Sequence, residues 1–162
     1  MANKKQKVNN CTELDPEVKE LISKRDLIKA EKLARKKIKE KIPTNYYTIA
    51  LTLATIGFLK NKEEKKKEAK KYYKKIIREF PNTMHAYLSE ARIREENYKP
   101  KEALPFYKKA FKKCPTKLNA LHIGNIYKQL NKPSLAKKYY LLAEKKRRGF
   151  AAHHLKMLFK KK

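Results

Sequence analysis

Residues 123–143 read IGNIYKQLNKPSLAKKYYLLA, and the spacing of their small and apolar side chains decides the architecture. Gly124 and Ala136 are small, Tyr140 follows Ala136 by four positions, and Ala143 follows Tyr140 by three. Tyr140 and Ala143 therefore fall on one helical stripe, because residues three and four apart share a face. Small side chains at Gly124 and Ala136 let two antiparallel helices cross closely, where a leucine would hold them apart. The stretch predicts a helix, a turn and a second helix.

Working outward, the same spacing recurs. Gly57, Ala91 and Gly124 are separated by 34 and 33 positions, and twelve positions after each stands an alanine, Ala69, Ala103 or Ala136. Four further on come Tyr73, Tyr107 and Tyr140, and three beyond those Ile76, Ala110 and Ala143. Pro81 and Pro115 follow, with Arg148 in the last copy. A proline disfavours the helical conformation at the residue before it, so each ends the second helix of its copy.

These residues resemble the tetratricopeptide repeat (TPR), a helix–turn–helix unit, most closely in residues 123–143 and in KEALPFYKKAFKKCP, residues 101–115. The resemblance implies an all-α, TPR-like solenoid in which each copy completes its core against its neighbours. Three clear repeats are expected, over residues 50–83, 84–116 and 117–149. Residues 13–49 read as a degenerate copy, with Asp15-Pro16 as a helix start and Ala30, Leu33, Ala34 and Ile38 as a second-helix stripe ahead of Pro43. Pro43 to Gly57 is about one turn longer than the later intervals. Glu90 and Arg94 stand where the family usually carries large apolar residues. Phe150, Ala151, Leu155, Leu158 and Phe159 suggest a capping helix over 150–162, in preference to an amphipathic membrane anchor. Residues 1–12 read as a basic flexible tail.

Several chemistries are not expected. The three glycines are scattered, which excludes a Gly-rich phosphate loop or dinucleotide fingerprint. Cys11 and Cys114 lie far apart with no CxxC spacing, so neither a disulfide framework nor a zinc site is expected; Cys114 reads as a small half-buried residue at a helix end. His85, His122, His153 and His154 form no i, i+4 pair and have no evident nucleophile partner, so the chain reads as a non-enzyme without metal or cofactor. The opening MANKKQKVNN lacks an apolar stretch, and the longest weakly polar run, residues 48–59, is too short to span a bilayer as a helix. A cytoplasmic protein is expected, or a nuclear one in a eukaryote.

Charge is the remaining signal. Lys+Arg number 44 against 16 Asp+Glu, a formal net charge of +28. Residues 101–162 hold 18 of those bases and only two acids. The resemblance places second helices on an outer, convex wall, which would then carry Lys70, Lys71, Lys74, Lys75, Lys108, Lys109, Lys112, Lys113, Lys137 and Lys138. First helices would line a concave groove with Phe58, Asn61, His85, Ser89, Arg92, His122, Asn125 and Lys128. Two functions follow as expectations. One is an interaction scaffold docking an acidic or mixed protein segment. The other is an RNA- or ribosome-associated protein, since clustered lysines release counterions from a polyanion.

Overall fold

Prolines and short capping side chains set where the helices begin. The computed structural model describes residues 11–12 and 14–145, and every regular element among them is helical. Asp15 caps α1 (Pro16–Ser23) by accepting from the amides of Glu17 and Val18. Asp26 caps α2 (Leu27–Lys37), Thr83 caps α5 (Met84–Glu96) and Thr116 caps α7 (Lys117–Gln129), each accepting a first-turn amide. Proline opens α3 (Pro43–Leu59), α6 (Pro100–Lys113) and α8 (Pro133–Lys145), where its missing N–H costs nothing. Helix α4 (Glu63–Glu79) instead carries Glu63 and Glu64 in its first turn, complementing the helix dipole.

One turn design joins the pairs α1–α2, α3–α4, α5–α6 and α7–α8. Arg25, Asn61, Tyr98 and Asn131 adopt left-handed φ of 59°, 49°, 56° and 53°. The amide after each returns to a carbonyl of the preceding helix: Asp26 to Leu21, Lys62 to Gly57, Lys99 to Arg94 and Lys132 to Tyr127, at 2.9–3.0 Å. Asparagine suits this backbone; a tyrosine or an arginine there is strained.

Each helix packs on the helices before and after it, and α3 also touches α5. The repeating triplets form a continuous buried seam: Ala69, Ala103 and Ala136, then Tyr73, Tyr107 and Tyr140, then Ile76, Ala110 and Ala143 are all fully buried. Helix α5 forms despite Glu90 and Arg94. The two pair with each other, and the Arg94 guanidinium lies 4.1 Å over the Phe106 ring, so a cation and its stem do the packing of an apolar residue.

The register of one pair differs from the sequence expectation. Helix α3 starts at Pro43, ahead of the boundary expected at residue 50. Counted from the first residue of α3, α5 and α7, the small side chains that share a position are Ala50, Ala91 and Gly124, all buried. Gly57 is therefore not the counterpart of Gly124. A Cβ on Gly124 would lie 2.5 Å from the Tyr140 ring, whereas one on Gly57 would meet Lys66 at 2.6 Å, close to the turn. Helices α3 and α4, at 17 residues each, outrun α5 and α6, at 13 and 14. The long pair overhangs its neighbour at the turn end.

A second correction concerns the cysteines. Cys11 and Cys114 form a disulfide with a Cα–Cα distance of 5.4 Å. The 103-residue separation hid it, because the pairing depends on the fold bringing the residues before α1 beside the end of α6. The tail expected over 1–12, but for residues 11 and 12, and the capping helix expected over 150–162 lie outside the described residues.

Candidate functional site

The overhang creates a cleft of about 740 Å³. Leu51, Ala54 and Phe58 of α3 and Glu63, Lys66, Lys67, Lys70 and Tyr73 of α4 form one side; Arg92, Glu95 and Glu96 of α5 with Asn97 and Tyr98 of its turn form the other. Phe58 and Tyr98 are 80% and 93% exposed on the rim. Large aromatics are seldom left in water, and Tyr98 in addition occupies a backbone conformation that the corresponding turns give to Asn61 and Asn131.

The floor is a half-buried polar cluster around the fully buried Tyr107. Arg92 Nη1 donates to Glu95 at 3.3 Å, and the Tyr107 hydroxyl donates to the same carboxylate. Arg92 Nη2 stands 3.5 Å from His122 Nε2. Arginine only donates, so this contact requires a neutral His122 accepting at Nε2. The His122 ring stacks on Tyr107 with centroids 5.0 Å apart. The Tyr73 hydroxyl and Arg92 Nε are buried beneath the cleft and make no hydrogen bond among the described residues. Burial raises the Glu96 carboxyl above its usual value, with Lys70 and then Arg92 opposing.

Burial, and then the charge of Arg92, hold the His122 imidazole well below its usual 6.5. The unfolded chain therefore takes up a proton that the folded chain refuses, and stability is lost as pH falls below about 6.5 towards the depressed folded value. Thermal midpoints measured from about pH 8 down to 5 should fall more steeply for the native protein than for His122→Gln. Parallel pH profiles would contradict the neutral imidazole.

The residues expected on the groove are only partly brought together. Phe58 and Arg92 line the cleft. Asn61 is a turn residue. His85 and Ser89 are buried, against the expectation of a groove lining, with His85 Nε2 3.0 Å from the Thr12 carbonyl oxygen. His122 belongs to the floor cluster. Asn125 accepts the Tyr140 hydroxyl at 2.8 Å, and Lys128 is exposed at the end of α7. Cleft residues missed in the sequence are Glu63, Lys66, Lys67, Asn97 and Tyr98; the long Pro43–Gly57 interval was their signal.

The expected basic wall also divides. Lys70 lines the cleft, and Lys75 sits 4.7 Å over the Tyr46 ring and 3.9 Å from Glu79. Lys108 lies over Tyr127, and Lys109 over Phe106 and Tyr87. These two, with Lys71, Lys74, Lys112, Lys113, Lys137 and Lys138, are exposed.

No protein-family model matches the chain, and no curated protein matches it. Among the described residues, no three His, Cys, Asp or Glu side chains gather as metal ligands would, and no helix is long and apolar enough to cross a membrane.

Proposed function

We propose that the chain is a TPR-like solenoid acting as a non-enzymatic scaffold, and that it docks an extended protein segment carrying acidic side chains beside one apolar anchor. The observation that carries this reading is the overhang cleft. Two exposed aromatics flank its mouth, Lys66, Lys67 and Lys70 lie along one side, and Arg92 with the Tyr73 hydroxyl lies on its floor. An apolar anchor fits between Phe58 and Tyr98, and a carboxylate complements Lys67 and Lys70. Of the acids present, Glu95 is already engaged by Arg92 and Tyr107. The serial helix pairs and their buried Ala–Tyr seam support the solenoid part of the reading.

A second reading has its own observation. The exposed Lys108, Lys109, Lys112, Lys113, Lys137 and Lys138 lie in residues 101–162, whose only acids are Glu102 and Glu144. Such a surface suits the phosphate backbone of RNA, read by charge and not by sequence.

One titration separates the two. Labelled peptides pairing Asp and Glu with a single Phe or Leu, basic control peptides and single-stranded poly(U) are offered to the native protein, to Phe58→Ala/Tyr98→Asn and to Lys67→Glu/Lys70→Glu. Docking predicts selective capture of the acidic–apolar peptides, weakened about tenfold in either double variant, each tenfold being about 1.4 kcal/mol. Because Tyr98→Asn restores the residue that matching turns use, it should not lower the thermal midpoint, so lost binding is not lost folding. Salt-sensitive poly(U) binding that ignores both variants, with no peptide selectivity, overturns docking in favour of the lysine surface.

A further inference from the structure

The residues before α1 make a set of contacts that the docking reading does not use. Cys11 is bonded to Cys114 at the end of α6. The Thr12 carbonyl oxygen meets His85 Nε2 of α5 at 3.0 Å. Leu14 packs against the core, and the Asp15 amide donates to Thr48 Oγ1 of α3 at 3.0 Å. Asp15 also takes an ion pair from Lys37 at 2.6 Å. These few residues touch α2, α3, α5 and the α6–α7 junction in succession.

That path matters because the rest of the stack is held by neighbours. Helices packed in series transmit little restraint beyond the next pair, so the separation of distant pairs is soft. The Cys11–Cys114 bond joins the start of the first pair to the end of the third. It closes the first three helix pairs into one loop and leaves α7 and α8 outside it. Cys11 is exposed and Cys114 half-buried, so a small thiol can reach the bond.

We propose that this segment is a redox-controlled strap. Oxidised, it fixes the spacing of the first three helix pairs and covers His85 and Thr48. Reduced, it releases the edge formed by the starts of α3 and α5. The chemistry is thiol–disulfide exchange with the glutathione couple. A glutathione thiolate attacks the Cys11 sulfur, Cys114 leaves as a thiolate that takes a proton, and a second glutathione thiolate releases Cys11 as glutathione disulfide forms. Two electrons pass from two glutathiones to the protein pair, and the reverse exchange closes the strap.

The full chain is equilibrated with glutathione disulfide or with excess glutathione. It is then probed by thiol labelling, intact mass, thermal unfolding and amide hydrogen exchange, alongside Cys11→Ser and Cys114→Ser. The oxidised protein should label at neither cysteine, weigh two hydrogen atoms less than the reduced form and run as a monomer. Reduction should lower its thermal midpoint by about 10 °C, as expected for a cross-link closing a loop of about 100 residues, and should speed exchange at the starts of α3 and α5. Both serine variants should match the reduced native protein and ignore the glutathione ratio. Labelling of both cysteines after oxidation, a dimer linked through them, or equal midpoints and exchange in the two states would each overturn the strap. The reduced native protein provides the comparison if a serine variant fails to fold.

Discussion

Replacing Gly124 with leucine should cost about 3 kcal/mol and lower the thermal midpoint by about 9 °C. The first added atom already has no room. A Cβ at Gly124 would lie 2.5 Å from Tyr140 Cε1 and 2.6 Å from Cδ1, and the Tyr140 ring is fully buried and anchored by its hydroxyl on Asn125. The ring can yield only by pushing α8 away from α7. Alanine should be milder, since its better helix propensity returns about 1 kcal/mol against the same clash. Calorimetry or circular dichroism melts of the native, alanine and leucine proteins would rank them. A leucine variant as stable as the native protein would contradict the close crossing. Gly57→Ala makes a useful contrast, because its nearest neighbour is the flexible Lys66 side chain, although the Lys62 carbonyl oxygen also stands at 3.0 Å.

The second large effect lies at the centre of the buried seam. Tyr107→Ala should cost about 4 kcal/mol, equivalent to about 12 °C in the thermal midpoint. Tyr107 is fully buried, its ring stacks on His122, and its hydroxyl donates to the Glu95 carboxylate that also holds Arg92. Removing the ring leaves a cavity between α6 and α7 and takes a partner from the half-buried Glu95 carboxylate. Tyr107→Phe separates the two contributions. It keeps the packing and loses only the hydrogen bond to a charged acceptor, a cost of about 2 kcal/mol. Since a domain of this size has about 5–15 kcal/mol to spare, both variants should fold, with the alanine form close to the margin. Equal midpoints for alanine and phenylalanine would place the whole effect in the hydrogen bond and deny the ring its packing role.

The seam was legible in the sequence because its information is local. Ala103, Tyr107 and Ala110 are four and three positions apart, and on a helix that spacing alone puts them on one face. The ends of the second helices at Pro81 and Pro115 were legible for the same reason, as were the starts at Asp15-Pro16. The register of the second helix pair was not. Aligning Gly57 with Gly124 satisfied every sequence interval to Tyr73 and Pro81, yet the turn at Asn61 falls about one helical turn earlier in that copy. Only the space between the helices reveals which small residue faces which ring. The cleft depended on that displacement, so Phe58 and Arg92 were anticipated while Tyr98, Lys66 and Lys67 were not. His85 and Ser89 were misplaced because burial depends on what crosses above a helix, and the residue above His85 comes from Thr12, 73 positions away.

The amino-acid sequence alone determined that this chain is a series of helices with a shared Ala–Tyr seam and a net positive charge densest after residue 100, where acids are scarce. Those properties follow from side-chain spacing and charge, which need no partner in space. Tertiary structure decided the unequal lengths that open the cleft, the Arg92–Glu95–Tyr107–His122 cluster and the Cys11–Cys114 closure. Each of these joins residues from different helix pairs, and nothing in local periodicity encodes how far one pair overhangs the next.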